Sequence, residues 1–339
     1  MVTIFSRRLL LAGGLLALAS FGFGSFGPAR AAEYTMKIGL VTVGDSQHFF
    51  ANELKKVLEK ATNGRVEVQV FPRSQLGSPA AQIQGLQLGT IEGFMVPIDF
   101  FVGLDTRAGV FSIPFMFKNR EQANKVLADK ELYNNVLSML DSKGVVGGMV
   151  AVAADGKYIA KNPLKHLSDF NGKKMRVNAT DPERERMKRL GATAIPMGLA
   201  DMITSLQSGV IDGTMSGISI HVNFHLETVS KELLTTNDTM LVVYLGLSKK
   251  WLDSMPADLR NTVLTTIRGM HPQMVKFTDE EDSGLTKKWL ERGGTFFEWS
   301  KEDMAEFHKR IDSVGEDVTK SNPTLNAYYK YVKAISDKY

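Results

Sequence analysis

The sequence contains no cysteine. That single absence excludes a disulfide, a thiolate nucleophile and a lipidated cysteine anchor. The common enzyme signatures are missing as well. There is no G-x-S-x-G, no P-loop and no H-E-x-x-H, so no nucleophile elbow, nucleotide cradle or zinc-protease helix can be assigned. Beyond residue 32 no stretch approaches the roughly 18 uncharged apolar residues of a membrane-spanning helix. A charge excess of either sign is also lacking. Lys and Arg total 41 against 37 Asp and Glu, a formal charge of +4. Arg7, Arg8 and Arg30 supply three of those charges and residues 1–32 hold no acid, so the rest of the chain carries +1. The basic character that a nucleic-acid partner needs is therefore absent.

What is present is an ordinary globular composition, 43% hydrophobic and 23% charged over 339 residues, which excludes collagen, coiled coil and disorder. The length exceeds what one hydrophobic core usually holds, so two lobes are expected. Residues 1–32 read as an export signal: a basic start, an apolar run from Leu9 to Phe23, and the small-residue site Ala29-Arg30-Ala31. The mature chain is expected to begin at Ala32 or Glu33, in the periplasm. Ser6-Arg7-Arg8-Leu9-Leu10-Leu11 fits a twin-arginine signal as well as an ordinary Sec signal.

The mature chain alternates strands and helices. Strands are predicted over Tyr34–Val43, Arg65–Phe71 and Ile91–Val96, with helices over Gln47–Thr62 and Pro79–Leu88, the latter closing at Gly89. This rhythm is that of a doubly wound parallel sheet. A second α/β region is predicted from Asp155-Gly156 onward. Its strands are Tyr158–Ala160 and Lys174–Val177, and its helices run from Pro182 to Leu190 and over Asp201–Gln207; Leu167–Gly172 reads as a polar turn. From Lys249 the chain is mostly helical, with Trp251, Leu252 and Leu259 on one face.

The most informative pattern is an internal echo. Leu86-Gln87-Leu88-Gly89-Thr90-Ile91-Glu92-Gly93 recurs 120 residues later as Leu206-Gln207-Ser208-Gly209-Val210-Ile211-Asp212-Gly213. In each copy a helix stops at a glycine and the chain enters a short strand, which suggests two similar α/β lobes facing each other. Ligands of open α/β sheets sit beyond the carboxyl ends of strands. Phe94–Asp99 and Thr214–Ser219, just after the copies, are therefore expected to line a cleft.

Candidate chemistry is sparse. His221 and His225 lie four apart with Glu227 nearby, a spacing that would place two imidazoles on one helical face. The run Asp181–Arg189, with seven charges in nine residues, reads as a solvated helix face. Arg176 stands apart. Alternation along Lys174-Met175-Arg176-Val177 puts Met175 and Val177 on one face and Arg176 on the other. A guanidinium at a strand end calls for a carboxylate, either a ligand's or one of the protein's own.

These segments together resemble a family, the extracytoplasmic solute-binding proteins of TRAP transporters, of the C4-dicarboxylate-binding (DctP) type. The resemblance rests on Thr62-Asn63-Gly64-Arg65-Val66 with Phe71-Pro72-Arg73-Ser74-Gln75-Leu76-Gly77, on Leu86–Glu92, and on Ile113-Pro114-Phe115-Met116-Phe117. It continues through Leu167–Arg176, Leu190-Gly191-Ala192-Thr193 and Leu206–Gly213. It implies an α/β, two-lobed periplasmic binding protein fold, with a cleft between two doubly wound lobes and a long helix bracing both. The lobes would comprise residues 33–154 with about 242–283, and 155–241 with about 284–339.

The resemblance also implies that Arg176 pairs with the ligand carboxylate. Tyr158, after Gly156-Lys157, stands where many relatives carry a second arginine, and Ser216 replaces an amide next to Met215. These departures point to a monocarboxylate or a larger, partly apolar acid, with Lys157 as the alternative second cation. Further contacts are expected from Asn178 and the lid residue Leu199, and from Thr42, Gln47, Val96, Pro97 and the pair Phe100-Phe101 in the first lobe. The implied function is a periplasmic receptor, not an enzyme, that delivers a small organic anion to a TRAP permease. It needs no cofactor, metal or nucleic acid, and acts as a monomer or dimer. Two alternatives stand beside it: a secreted enzyme of similar fold using His221 and His225, and a binding protein that feeds a sensor kinase.

Overall fold

The computed structural model describes residues 31–339 apart from Ala179. All but the last two residues of the expected export signal thus lie outside the described residues. β1 (Tyr34–Leu40), α1 (Ser46–Ala61), β2 (Val66–Phe71), α2 (Pro79–Leu88) and β3 (Gly93–Pro97) follow in the expected order. α1 starts because the Asp45 side chain accepts the His48 backbone N–H. It stops where Asn63 and Gly64 turn left-handed, with φ 52° and 74°. Phe50, Leu54 and Leu58 then pack on Met36, Ile38, Val66 and Val68 of the sheet. Each such side chain contributes about 1.5–3 kcal/mol of burial. β1 pairs in parallel with both β2 and β3.

α3 (Arg120–Leu127) and α4 (Lys130–Ser138) lead into β4 (Val145–Ala160). The second region contains β5 (Lys174–Val177), α5 (Asp181–Arg189), β6 (Thr193–Pro196), α6 (Leu199–Ser208), β7 (Gly213–Ser216) and α7 (Ile218–Asn223). β5 is parallel to β6 and β7, as β1 is to its neighbours. The two echoed segments behave alike: α2 ends at Gly89 and α6 at Gly209, left-handed at φ 75° and 81°, and each chain then enters a central strand. α6 begins at Leu199, two residues before the expected Asp201.

The described residues form one nine-stranded sheet in the order β2-β1-β3-β8-β4-β7-β5-β6, with β9 (Thr295–Phe297) also on β8 (Glu232–Ser248). It is mixed, since β8 is antiparallel to β3 and β4, and β4 to β7. Periodicity predicts only Tyr158–Ala160 of β4 and none of β8. Both strands are buried on both faces along most of their length, so they read as continuous apolar runs without alternation. They cross from one half of the sheet to the other. Their register breaks between Asp155↔Met240 and Lys157↔Thr235, where β4 advances two residues and β8 five.

The C-terminal region is helical: α8 (Lys249–Asp253), α9 (Ala257–Gly269), α10 (His271–Glu291), α11 (Lys301–Ile311), α12 (Val314–Thr319) and α13 (Pro323–Ser336). Trp251, Leu252 and Leu259 do share one core, that of β1 and β2. α10 touches both halves, through Met274 in the first core and Leu285 and Trp289 in the second. Within the stretch expected in the second lobe, α13 buries Tyr328, Val332 and Ile335 in the core that also holds Phe94 and Val96, while the neighbouring α12 lies against α5. An amphipathic pattern shows that a helix has a buried face, not which core receives it.

Candidate functional site

A cavity of ≈ 630 Å³, counted out to its mouth, opens where the two halves of the sheet meet. The first half contributes Thr42, Asp45, Ser46 and Gln47 from the β1–α1 connection, with Pro97 and Phe100 after β3. The second contributes Arg176 and Asn178 after β5, Leu199 at the start of α6, and Met215, Ser216, Gly217 and Ser219 around the end of β7. Ala153 and Ala154 of β4 and Leu241 and Val243 of β8, with Val41 and Ile220, complete the lining. Both segments that follow the internal echo reach this cavity.

Arg176 behaves as alternation in β5 requires. Met175 and Val177 sit in the second core, while Arg176 faces the cavity at 6% exposure. Its Nε donates to the Met197 carbonyl at 3.1 Å. Among the described residues its terminal nitrogens have no hydrogen-bond or ion-pair partner. Burial pushes the guanidinium below its ordinary value, and the nearby Glu183 and Asp99 pull it back up. A guanidinium holds five N–H donors in a planar fork, so most of this one's capacity remains for something that enters the cavity.

Glu183 and Asp99 are the internal charges that act on Arg176, Glu183 the more strongly. Asp99 accepts from the Asn178 Nδ2 at 2.9 Å. Burial and the neighbouring Glu183 raise its carboxyl to about 7, against the opposing Asn178 hydrogen bond and the Arg176 charge. On the opposite wall, Asp45 accepts from the His48 N–H at 3.0 Å and from the Gln47 Nε2 at 3.1 Å. The Ser46 N–H donates to Glu281 on α10 at 2.8 Å. Burial and the Asp45 charge push Glu281 up to about 8.

Of the expected contacts, Arg176, Asn178, Ser216, Met215, Pro97, Thr42, Gln47 and Leu199 line one cavity. Three are placed elsewhere. Val96 points from β3 into the first core, and Phe101 packs edge-on to Tyr244 at 5.3 Å. The turn after β3 is a 3₁₀ helix, Ile98–Gly103, in which residues three apart stack. Pro97 therefore shares the cavity face with Phe100, not Phe101. Tyr158 is buried with its hydroxyl donating to Asp238 at 3.2 Å and its ring edge-on to Phe170 at 5.4 Å. Lys157, the alternative cation, pairs with Asp155 at 3.1 Å and does not reach the lining.

Two other expectations are corrected. His221 and His225 do not share a helical face, because α7 ends at Asn223 and His225 is left-handed at φ 56°. His221 is fully buried, with Nε2 at 3.1 Å from the carbonyls of Lys157 and Ser216. Burial lowers its pKa to about 4, so it is a neutral clamp on the wall. Among the described residues no His, Asp and Glu gather in threes to hold a metal. The charged run on α5 is not wholly solvated either. Arg186 is buried against Asp238 at 2.8 Å, with further bonding to Thr239. Spacing along α5 could not reveal this, since the partner lies 52 residues away.

Sequence reasoning missed Asp45 and Ser46, whereas Ser219 falls in the expected Thr214–Ser219 segment. Asp45 caps α1 and Ser46 opens it, and the capping signal of Asp45 before an apolar-periodic helix could have found them.

Comparison with known proteins gives a consistent result. Residues 40–322 match the sequence model of the bacterial extracellular solute-binding proteins, family 7. A C4-dicarboxylate-binding periplasmic protein of Rhodobacter capsulatus is 29% identical over 325 residues, covering 92% of this chain and 94% of that one. Among solved structures, a TRAP periplasmic solute-binding protein from Xanthobacter autotrophicus with bound β-D-galacturonate superposes with a TM-score of 0.81 at 25% identity, covering 88% of this chain and 99% of that one. A sugar acid binding protein from Advenella mimigardefordensis in complex with galactonate gives 0.85 at 22% identity, covering 91% and 99%. The fold is the two-lobed fold of these receptors.

Proposed function

Because this chain belongs to the bacterial extracellular solute-binding proteins of family 7, we propose that it is a periplasmic receptor that seizes an organic monocarboxylate through Arg176 and closes around it by hinge motion. The coarse function follows from the family: it is a TRAP-type solute-binding protein for small organic acids, and it is not an enzyme. The family works with TRAP permease components, so the loaded receptor hands its anion to such a permease. Among the described residues no helix is long and apolar enough to cross a membrane, in keeping with a periplasmic location.

The observation that carries the reading is the unpaired, buried guanidinium of Arg176 on a cavity wall. Carboxylates bound by similar structures, among them succinate, galacturonate and galactonate, support it. So does the lining itself, in which Arg176 is the one Lys or Arg among the described residues, which favours one carboxylate over two. Closure is supported by the register break in β4 and β8, the only strands to run through both halves among the described residues. The lobes are proposed as residues 33–154 with about 242–283 and α13, and 155–241 with the chain from about 284 to α12. Binding that favours the closed form over the open one is sufficient to drive the motion.

The experiment is a melting-temperature screen of carboxylic acids on the wild type and Arg176→Lys, followed by small-angle scattering with the best ligand. A lysine lacks the bidentate fork, so the variant is expected to lose the ligand response, and the wild type to become more compact on saturation. An undiminished response in the variant, or an unchanged scattering profile, overturns the corresponding half of the reading.

A further inference from the structure

The wall opposite Arg176 is made of hydrogen-bond acceptors. The Gln47 side chain is 5% exposed, and its amide nitrogen is spent on the Asp45 carboxylate. The carboxylate thereby fixes which way the amide points, since the reverse orientation would set oxygen against oxygen. Gln47 Oε1 is left buried without a partner, and the Thr42 hydroxyl, whose proton leans on the Asp45 carboxylate, has no other partner. Both residues line the cavity. Asp45 receives one N–H on each oxygen, from His48 and Gln47, bonds that favour its charge, while burial pushes its pKa up. Among the described residues neither Asp45 nor the adjacent Glu281 has an ion-pair partner within 4 Å. An unpaired buried acceptor is destabilising, so this wall is incomplete without a donor.

We infer that Asp45, Gln47 and Thr42 form a specificity subsite that takes hydrogen-bond donors, hydroxyl or ammonium, at the end of the ligand remote from its carboxylate, and that rejects a second carboxylate there. This rests on the Arg176 reading and adds the ligand's other pole. Arg176 offers only donors and the β1–α1 wall offers mainly acceptors, so the cavity is complementary to a molecule that is itself divided in that way. Between the poles Phe100, Leu241 and Val243 suit a carbon skeleton. A second carboxylate would meet the Asp45 charge and an amide oxygen with no compensating cation.

The test uses four acids of equal carbon count: galactonate, ε-aminocaproate, caproate and adipate. Their binding is measured by calorimetry on the wild type, Asp45→Asn, Thr42→Val and Arg176→Lys. Asn preserves the α1 cap, so Asp45→Asn is expected to fold. The wild type is expected to bind galactonate or ε-aminocaproate at least tenfold more tightly than caproate, and adipate weakest of all. The response to galactonate and to ε-aminocaproate tells hydroxyl from ammonium. Asp45→Asn is expected to narrow the gap to adipate at least tenfold, and Thr42→Val to weaken only the donor-bearing acids. Adipate bound as tightly as the donor-bearing acids, or a ranking unchanged in Asp45→Asn, overturns this inference. A wild type that binds none of the four while other carboxylates still depend on Arg176 overturns it too, and leaves the receptor reading intact. Binding undiminished in Arg176→Lys overturns the Arg176 half of the receptor reading instead.

Discussion

Asn178 and Asp99 join the two halves of the sheet: the amide of the one, two residues beyond Arg176, donates to the carboxylate of the other at 2.9 Å. The contact is buried and close enough to Arg176 for the charges to interact. Anything that changes the Asp99 charge therefore acts on fold stability and on the field at the cavity together.

The Asp99 carboxyl is raised to about 7 in the folded protein, so the folded state holds this proton more tightly than the unfolded state. Its contribution to stability is greatest below the ordinary carboxylate range, near pH ~4, and is lost as the pH rises to about 7. Asp99→Asn is expected to remove that slope. Urea midpoints should show the variant gaining stability relative to wild type between pH 4.5 and 8. A difference that does not vary with pH would contradict the assignment.

A charge-assisted pair is worth about 1.5–3 kcal/mol net, which corresponds to roughly a 10- to 150-fold change in affinity. Arg176→Lys is expected to weaken the best ligand within that range in calorimetry while shifting the ligand-free melting temperature little. Loss of affinity only in proportion to loss of stability would mark Arg176 as a structural residue.

Arg186 and Asp238 form an ion pair with both side chains buried, at 1% and 0% exposure. Removing one partner strands the other, at about 3–5 kcal/mol. Asp238→Ala is expected to cost that much in urea unfolding. Asp317→Ala, which removes the more exposed of the acidic partners of Arg189, should cost far less.

Gly156 leaves room for the Met215 thioether, which a Cβ at that position would strike. Gly156→Ala is expected to drive Met215 from its place in the cavity wall, costing about 1–3 kcal/mol and altering ligand preference. Adding Met215→Ala should recover part of the loss. Additive costs in a double-mutant cycle would show that the two positions are not coupled.

Much of this protein is legible residue by residue. Gly89 and Gly209 stop their helices because only a residue without a Cβ turns left-handed cheaply. Pro79 and Pro182 open helices where a missing N–H costs nothing. Alternation alone sends Arg176 away from the core that holds Met175 and Val177. These outcomes depend on neighbours within a few positions, and so one local pattern suffices to specify them.

What the local patterns leave open is decided by partners far away in the chain. β4 and β8 carry no alternation because other parts of the chain cover both their faces. Arg186 is buried rather than solvated because Asp238 lies opposite it. Tyr158 turns to that same Asp238 instead of the cavity, and α13 buries its apolar face in the core that holds Phe94 and Val96. Burial, and the pairing of buried charge, are properties of surfaces that meet only after the chain has folded, and no spacing within a single helix or strand records them.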